Sequence, residues 1–199
     1  MPPLVLKLGG SLAESGQLKA HVEIIARASR PLVVVPGGGP FADTVRDQQR
    51  RLGLSDVQAH RLALLAMHQM ALVLCGLHER FVTVEYPPEM FVQRTGGPIP
   101  VWLPYALQHG DCSLPADWSV TSDALAARLA ERLKGAEVVL VKSCAVPLGA
   151  TLEELASAGI VDPVFSQIVA RAGVAWRVLG AGDEERLGAL LDVGVGGPA

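Results

Sequence analysis

The sequence predicts an α/β fold, a three-layer α/β/α sandwich in which an open, mainly parallel sheet lies between helices. Three observations carry that prediction. Short aliphatic runs alternate with helical stretches along the 199 residues, and several runs are apolar on both faces, as strands of a buried parallel sheet are. Half of the residues are hydrophobic but only 5% are aromatic, so the buried mass is aliphatic. The length suits one domain, 1–199, around one sizeable core, with 194–199 expected to fray.

The strands are expected at Leu4–Leu8, Leu32–Val35, Phe81–Glu85, Val101–Leu103, Val138–Lys142 and Ala175–Leu179. Local chemistry places the helices between them. A helix begins near Phe41, after a run of glycines. Ser55 and Gln58 form a capping box that opens a long helix reaching about Glu79, and Thr151 with Glu154 forms another. Thr121 or Ser122 caps a helix that runs to Lys134 and is closed by Gly135. Asp162 followed by Pro163 reads as a cap with proline at the first helical position, and Asp183 starts the last helix.

Composition excludes several classes of function. A formal charge of −3 with scattered arginines supplies no field for a nucleic acid. The cysteines, Cys75, Cys112 and Cys144, are odd in number and lack C-x-x-C spacing, which fits neither a disulfide framework nor a zinc site. Met1 leads directly into an aliphatic strand rather than a signal peptide. The apolar stretch Leu62–Leu77 is interrupted by His68 and Gln69, so no membrane span is expected. These features point to a soluble cytoplasmic protein.

The glycines carry the first functional signal. One strand, Leu4–Leu8, runs into Gly9, Gly10 and Ser11; another, Leu32–Val35, runs through Pro36 into Gly37, Gly38 and Gly39 before a helix. Glycines at the carboxyl end of a buried strand let backbone N–H groups approach a ligand closely, and a following helix N-terminus favours negative charge. Neither loop matches the dinucleotide or P-loop fingerprint. One such loop reads as a tight turn; two within forty residues read as an anion site.

Lysines carry the second. The chain has 17 basic side chains but only four lysines, and two of them, Lys7 and Lys142, end aliphatic strands. That edge is where α/β proteins bind ligands, and a compact ammonium suits a phosphate. The third signal is Asp123 in the segment Trp118-Ser-Val-Thr-Ser-Asp123. It reads either as an acid favoured by a helix dipole or as a buried acid that orients the lysines. His60, one turn into the long helix, reads either as an acceptor contact or as a half-buried polar residue. Trp118 reads as a shelf for a planar group or as packing. Met67 and Met70 are core or interface residues, His68 and Gln69 contact a neighbouring helix, and Cys144 is a small buried residue. The uncharged run Met70–Leu77 must be covered, and a homodimer through the helix spanning 56–79 would cover it.

Taken in order, the strand with Lys7-x-Gly9-Gly10-Ser11, the strand with Pro36-Gly37-Gly38-Gly39-x-Phe41-Ala42, and Trp118-x-x-Thr121-Ser122-Asp123-x-Leu125 resemble the amino-acid kinase superfamily. Within it, PGGGPFADTVR, LSDVQAHRLAL, WSVTSD and GIVDPVF are similar to a small branch of kinases acting on an aminomethylfuran-methyl phosphate in methanofuran-type cofactor biosynthesis. The resemblance implies the amino-acid kinase fold and an ATP- and Mg²⁺-dependent kinase whose acceptor is already a phosphate monoester. It also implies roles. Lys7, Gly9, Gly10, Ser11 and Lys142 contact the phosphates of ATP. Gly37, Gly38, Gly39, Asp43, Arg46, His60 and Trp118 form the acceptor side. Lys7, Asp123 and Lys142 are catalytic, and Mg²⁺ is held by ATP phosphates rather than by a protein metal site.

The chain departs from the superfamily pattern in two places. After the strand ending at Lys142, many members carry an acidic Asp-x-Asp-Gly stretch, whereas this chain reads Ser143-Cys-Ala-Val-Pro147; and no lysine follows Lys142. Two further readings therefore stand beside the first: a non-catalytic subunit that binds a nucleotide or oxyanion, and a uridylate or amino-acid kinase.

Overall fold

The computed structural model describes residues 3–86, 96–106, 111 and 113–193. Cys112 and the segment 194–199 lie outside the described residues. Six strands, β1 (Leu4–Leu8), β2 (Leu32–Pro36), β3 (Phe81–Val84), β4 (Ile99–Trp102), β5 (Glu137–Val141) and β6 (Trp176–Leu179), form one sheet in the order β3-β4-β2-β1-β5-β6. Every pairing is parallel. The helices are α1 (Leu18–Ala26), α2 (Gly39–Leu52), α3 (Asp56–Leu77), α4 (Ser122–Arg132), α5 (Leu152–Ser157), α6 (Pro163–Ala172) and α7 (Glu184–Leu190).

The sheet separates two buried clusters, and strand alternation decides which residue joins which. Leu4, Leu6, Leu8, Val34, Val139 and Val141 face α1, α7 and the second half of α3. Val5, Val33, Val35, Val138 and Leu140 face α4 and α6. β1 is central, with Lys7 in register with Val35 of β2 and Leu140 of β5. From β1 the chain builds outward through β2 in one direction and through β5 and β6 in the other. The crevice at the carboxyl end of β1 is therefore the topological switch point, where open α/β sheets bind ligands.

Both capping boxes form as the sequence indicates, at Ser55 and Thr151. Thr121 rather than Ser122 caps α4, and Asp162 caps α6. Boundaries differ where backbone geometry overrides side-chain signals. α2 begins at Gly39, two residues before Phe41, because the backbone already turns at Gly38, its N-cap, which has helical φ and ψ. α3 ends at Leu77 rather than Glu79, as His78 is extended. α4 ends at Arg132, since Lys134 and Gly135 take positive φ. Asp183 precedes α7, but its carboxylate accepts from Gly180 N–H (2.8 Å) instead of capping the helix.

One side chain lies elsewhere than expected: Cys144 is exposed, because its loop leaves the sheet edge immediately after Lys142. His68 meets a helical residue past β4, as expected, its Nε2 accepting from Tyr105 N–H (3.1 Å). By length and composition α3 would meet the requirement for a membrane span, interruptions included. In the fold it packs on α2, β2, β3 and β4 through Leu64, Met67, Met70, Ala71 and Leu74, while Leu65, Leu72 and Val73 remain exposed.

Candidate active site

Alternation places the two strand-end lysines on one face. Val5 and Leu140 point toward α4, so Lys7, two residues after Val5, and Lys142, two after Leu140, point the same way. Asp123 comes down to meet them from the first turn of α4. Lys7 Nζ stands 2.7 Å from Asp123 Oδ1, and Lys142 Nζ donates to Oδ2 at 2.5 Å. All three side chains are withdrawn from solvent, at 6%, 13% and 3% exposure for Lys7, Lys142 and Asp123. Burial alone would push the Asp123 carboxyl up; the charges and hydrogen bonds of the two lysines outweigh it and hold the group below its ordinary value. Burial and the neighbouring Lys7 charge hold Lys142 below the ordinary lysine value, against the pull of Asp123 and Asp162. Two ammonium groups on one carboxylate leave a net positive charge at the head of the crevice.

The glycine loops meet beside this triad, backbone against backbone. A Cβ on Gly10 would lie 2.3 Å from Gly39 N, and one on Gly37 would lie 2.4 Å from Gly10 N. Side chains are excluded by contact, not only by turn geometry. Gly39 also has φ +53, which favours glycine. Gly37 N–H and Gly9 N–H are committed to the sheet edge, donating to Leu8 O (2.8 Å) and Val141 O (2.9 Å). Gly9 thus stands behind the loop, whereas Gly10, Ser11, Gly38 and Gly39 line the cavity. Ser11 Oγ shares a hydrogen bond with Ser143 Oγ (2.7 Å), tying the loop after β1 to the loop after β5.

The cavity measures about 500 Å³. Every residue expected at the site lines it except Gly9. Its outer wall is polar. Arg46 lies with its guanidinium carbon 4.3 Å from the centroid of the Trp118 ring and pairs with Asp43 (2.7 Å), while Trp118 Nε1–H donates to Gln49 Oε1 (2.5 Å). Trp118 therefore packs against α2 and presents an edge of that wall. Burial pushes the His60 imidazole down, against a hydrogen bond to the Asp117 backbone that favours its charged form. The inner wall, with Leu64, Met67, Val120, Leu125 and Ile160, is apolar. The cavity thus combines cationic side chains and glycine loops with an apolar wall.

Sequence reasoning passed over three contributors: Ser143, Gln49 and the carboxylate of Asp162 as part of the cavity wall. Proximity to Lys142 could have flagged Ser143; nothing local could have flagged Gln49. Among the described residues no group of three or more His, Cys, Asp or Glu side chains could hold a metal ion. Asp123 is engaged by the two lysines, and Asp162 by N–H groups of α4 and α6 and the Thr121 hydroxyl.

An all-parallel sheet with paired lysines and two glycine loops at its switch point defines an α/β protein with a cationic edge where such sheets take ligands. The chain belongs to the amino acid kinase family, whose model matches residues 2–145. It is similar to the [5-(aminomethyl)furan-3-yl]methyl phosphate kinase of Methanocaldococcus jannaschii, with 27% identity over 141 residues covering 68% of this chain. The match spans 63% of that relative, less than two thirds of its length. In fold it is similar to uridylate kinase from Archaeoglobus fulgidus, with TM-score 0.65, 18% identity and 96% of each chain covered. It is also similar to UMP kinase from Ureaplasma parvum, with TM-score 0.57, 11% identity and 90% of each chain covered.

Proposed function

We propose that the protein is an ATP-dependent kinase that transfers the γ-phosphoryl group to a small phosphate monoester, giving a diphosphate and ADP. The observation that carries this reading is the pairing of Lys7 and Lys142 on Asp123 beside the Gly10 and Gly37–Gly39 loops. An oxygen of the acceptor phosphate attacks the γ-phosphorus, and the bond from that phosphorus to the β–γ bridging oxygen breaks. The nucleophile is already anionic, so no general base is required. Catalysis then rests on positioning and on neutralising charge over the moving phosphoryl group. In this reading Lys7, Lys142, Gly10 and Ser11 hold the ATP phosphates, with Gly9 shaping their loop and Mg²⁺ neutralising phosphate charge. Gly37–Gly39, Asp43, Arg46, His60 and Trp118 hold the acceptor. The relative from Methanocaldococcus jannaschii supports [5-(aminomethyl)furan-3-yl]methyl phosphate as that acceptor, a small ring for the apolar inner wall and a phosphate for the loops. The enzyme would work in the cytoplasm as a homodimer, with Leu65, Leu72 and Val73 of α3 covered by a second copy. A concentration-independent monomer mass by light scattering would remove the dimer.

Phosphorus NMR of the protein with Mg-ATP and the furan phosphate tests the reaction. An organic diphosphate appearing beside ADP, and absent with Lys7→Ala, supports both acceptor and reaction class. A diphosphate or ADP formed only with uridylate or an amino acid reassigns the acceptor. One observation favours a second reading, a nucleotide-binding subunit without turnover: the loop Ser143–Pro147 after β5 carries no carboxylate. ATP binding by calorimetry with no product from any acceptor would select it.

A further inference from the structure

Asp162 reads in the sequence as a helix cap, and its surroundings give it a second task. Its side chain is buried, and among the described residues its hydrogen bonds go to the starts of two helices. Oδ1 accepts from Phe165 N–H (2.6 Å) in α6. Oδ2 accepts from Thr121 N–H (3.2 Å), Thr121 O–H (2.6 Å) and Ala124 N–H (3.1 Å). The last three bracket Asp123, and Thr121 Oγ1 in turn accepts from Asp123 N–H (3.2 Å). One carboxylate therefore closes the N-termini of two helices and lines the same cavity as the lysine triad. It also lies beyond the residues, 2–145, that match the family.

We infer that Asp162 is a positioning residue that holds the first turn of α4 against α6, and so holds the Asp123 carboxylate between Lys7 and Lys142. The orphan N–H groups of a helix start leave its first turn loose unless something accepts from them. Here the acceptor is supplied from another helix, so the placement of Asp123 depends on a residue that touches neither lysine. Displacement of a positioning group by a fraction of an ångström is costly when catalysis is mainly alignment. For turnover, the inference rests on the kinase reading; for the geometry of the triad it does not.

The test is Asp162→Asn, which keeps the shape but loses one acceptor and the charge. Two readouts are taken. The first is kcat and the KM for ATP. The second is the titration of Lys142 in protein carrying ¹³C-labelled lysine, resolvable because the chain has only four lysines. The charged groups facing Lys142 are Lys7 from β1, Asp123 from α4 and Asp162 from the cap of α6. Loss of the Asp162 charge and of the fixed Asp123 both weaken support for the ammonium form, so Lys142 is expected to titrate at lower pH. The kcat is expected to fall about tenfold or more with KM for ATP within about twofold. A variant that melts earlier but keeps wild-type kcat and Lys142 titration overturns the inference and leaves Asp162 a simple cap. Should Asp162→Asn not fold, Thr121→Val removes the hydroxyl that joins Asp162 to Asp123 N–H and leaves every charge in place, and an unchanged kcat there overturns it equally. If the wild type shows no turnover with any acceptor, the kinase reading has failed, and the Lys142 titration in Thr121→Val, which removes no charge, decides: a downward shift supports the positioning role, and none overturns it.

Discussion

Lys7 and Asp123 stand 2.7 Å apart because of two independent regularities. Alternation along β1 turns Lys7 to the face covered by α4, and the Thr121 cap starts α4 so that Asp123 falls in its first turn. Each lysine neutralises a carboxylate that could not otherwise be buried.

Removing either partner separates catalysis from stability. Lys7→Ala leaves Asp123 paired with Lys142, so the loss of stability is expected to be smaller than the roughly 3–5 kcal/mol of a fully broken buried pair. Turnover is expected to fall about a hundredfold or more, as when one donor to a developing charge is removed. Asp123→Asn leaves two buried ammonium groups facing each other, and both turnover and melting temperature should drop. Circular dichroism melts and steady-state rates check both; a Lys7→Ala variant with wild-type turnover would falsify the phosphate-site assignment.

Lys142 sets a pH dependence. Its folded-state value lies below the ordinary lysine value of 10.5, with burial and Lys7 the leading causes. Its charge is therefore lost as pH rises through that lowered value, and kcat is expected to decline on an alkaline limb below pH 10.5. Arginine keeps its proton in this range, so Lys142→Arg is expected to retain charge and move the limb upward even at a lower maximum rate. An alkaline limb in the same place for both proteins would show that another group titrates. Stability at the acid end has the opposite sign. Asp123 is held below its ordinary value of 3.8, so its contribution is present above about pH 4 and disappears as pH falls through the lowered folded value.

The strands, the capping boxes and the glycine loops were legible because each is written in a few adjacent residues. The triad was legible in part: strand-end lysines show in a single sequence, and parity along β1 and β5 puts them on one face once the register is known. What could not be read is contact across the chain. Gln49 reaches Trp118 from 69 positions away, and Asp162 reaches Thr121 from 41, through helix packing that no local pattern encodes. Cys144 was misplaced for a related reason, since small apolar residues are usually buried and only the path of the loop after β5 exposes this one.

The closeness of the two glycine loops is itself testable. Gly10→Ala would put a methyl group 2.3 Å from the Gly39 nitrogen and 2.6 Å from its Cα, both backbone atoms that must move. Destabilisation of about 1–3 kcal/mol is expected, together with loss of turnover if, as proposed, the two loops hold the phosphates, because they are pushed apart. Gly53→Ala is the control. Gly53 has φ +66 with open space around it, so the variant carries about 1–2 kcal/mol of backbone strain and an unchanged kcat. Equal kinetic effects in the two variants would refute a special role for the loop contact.

Arg46 and Trp118 make the last prediction, on acceptor binding. Arg46 is held by Asp43 and lies over the Trp118 ring, so the guanidinium is aimed along the outer wall of the cavity rather than free in solvent. In the proposed reading its place on α2, lining the cavity, assigns it to the acceptor's phosphate rather than to the group being transferred. Arg46→Ala is therefore expected to raise the acceptor KM about tenfold, the worth of one charged hydrogen bond, with a smaller change in kcat and none in the KM for ATP. Trp118→Phe keeps the ring under Arg46 and loses only the bond to Gln49, so its acceptor KM should lie between those of the wild type and Trp118→Ala. Steady-state kinetics with each substrate varied in turn distinguishes the roles: a rise in the KM for ATP on loss of Arg46 would move the nucleotide to this wall and the acceptor to the other.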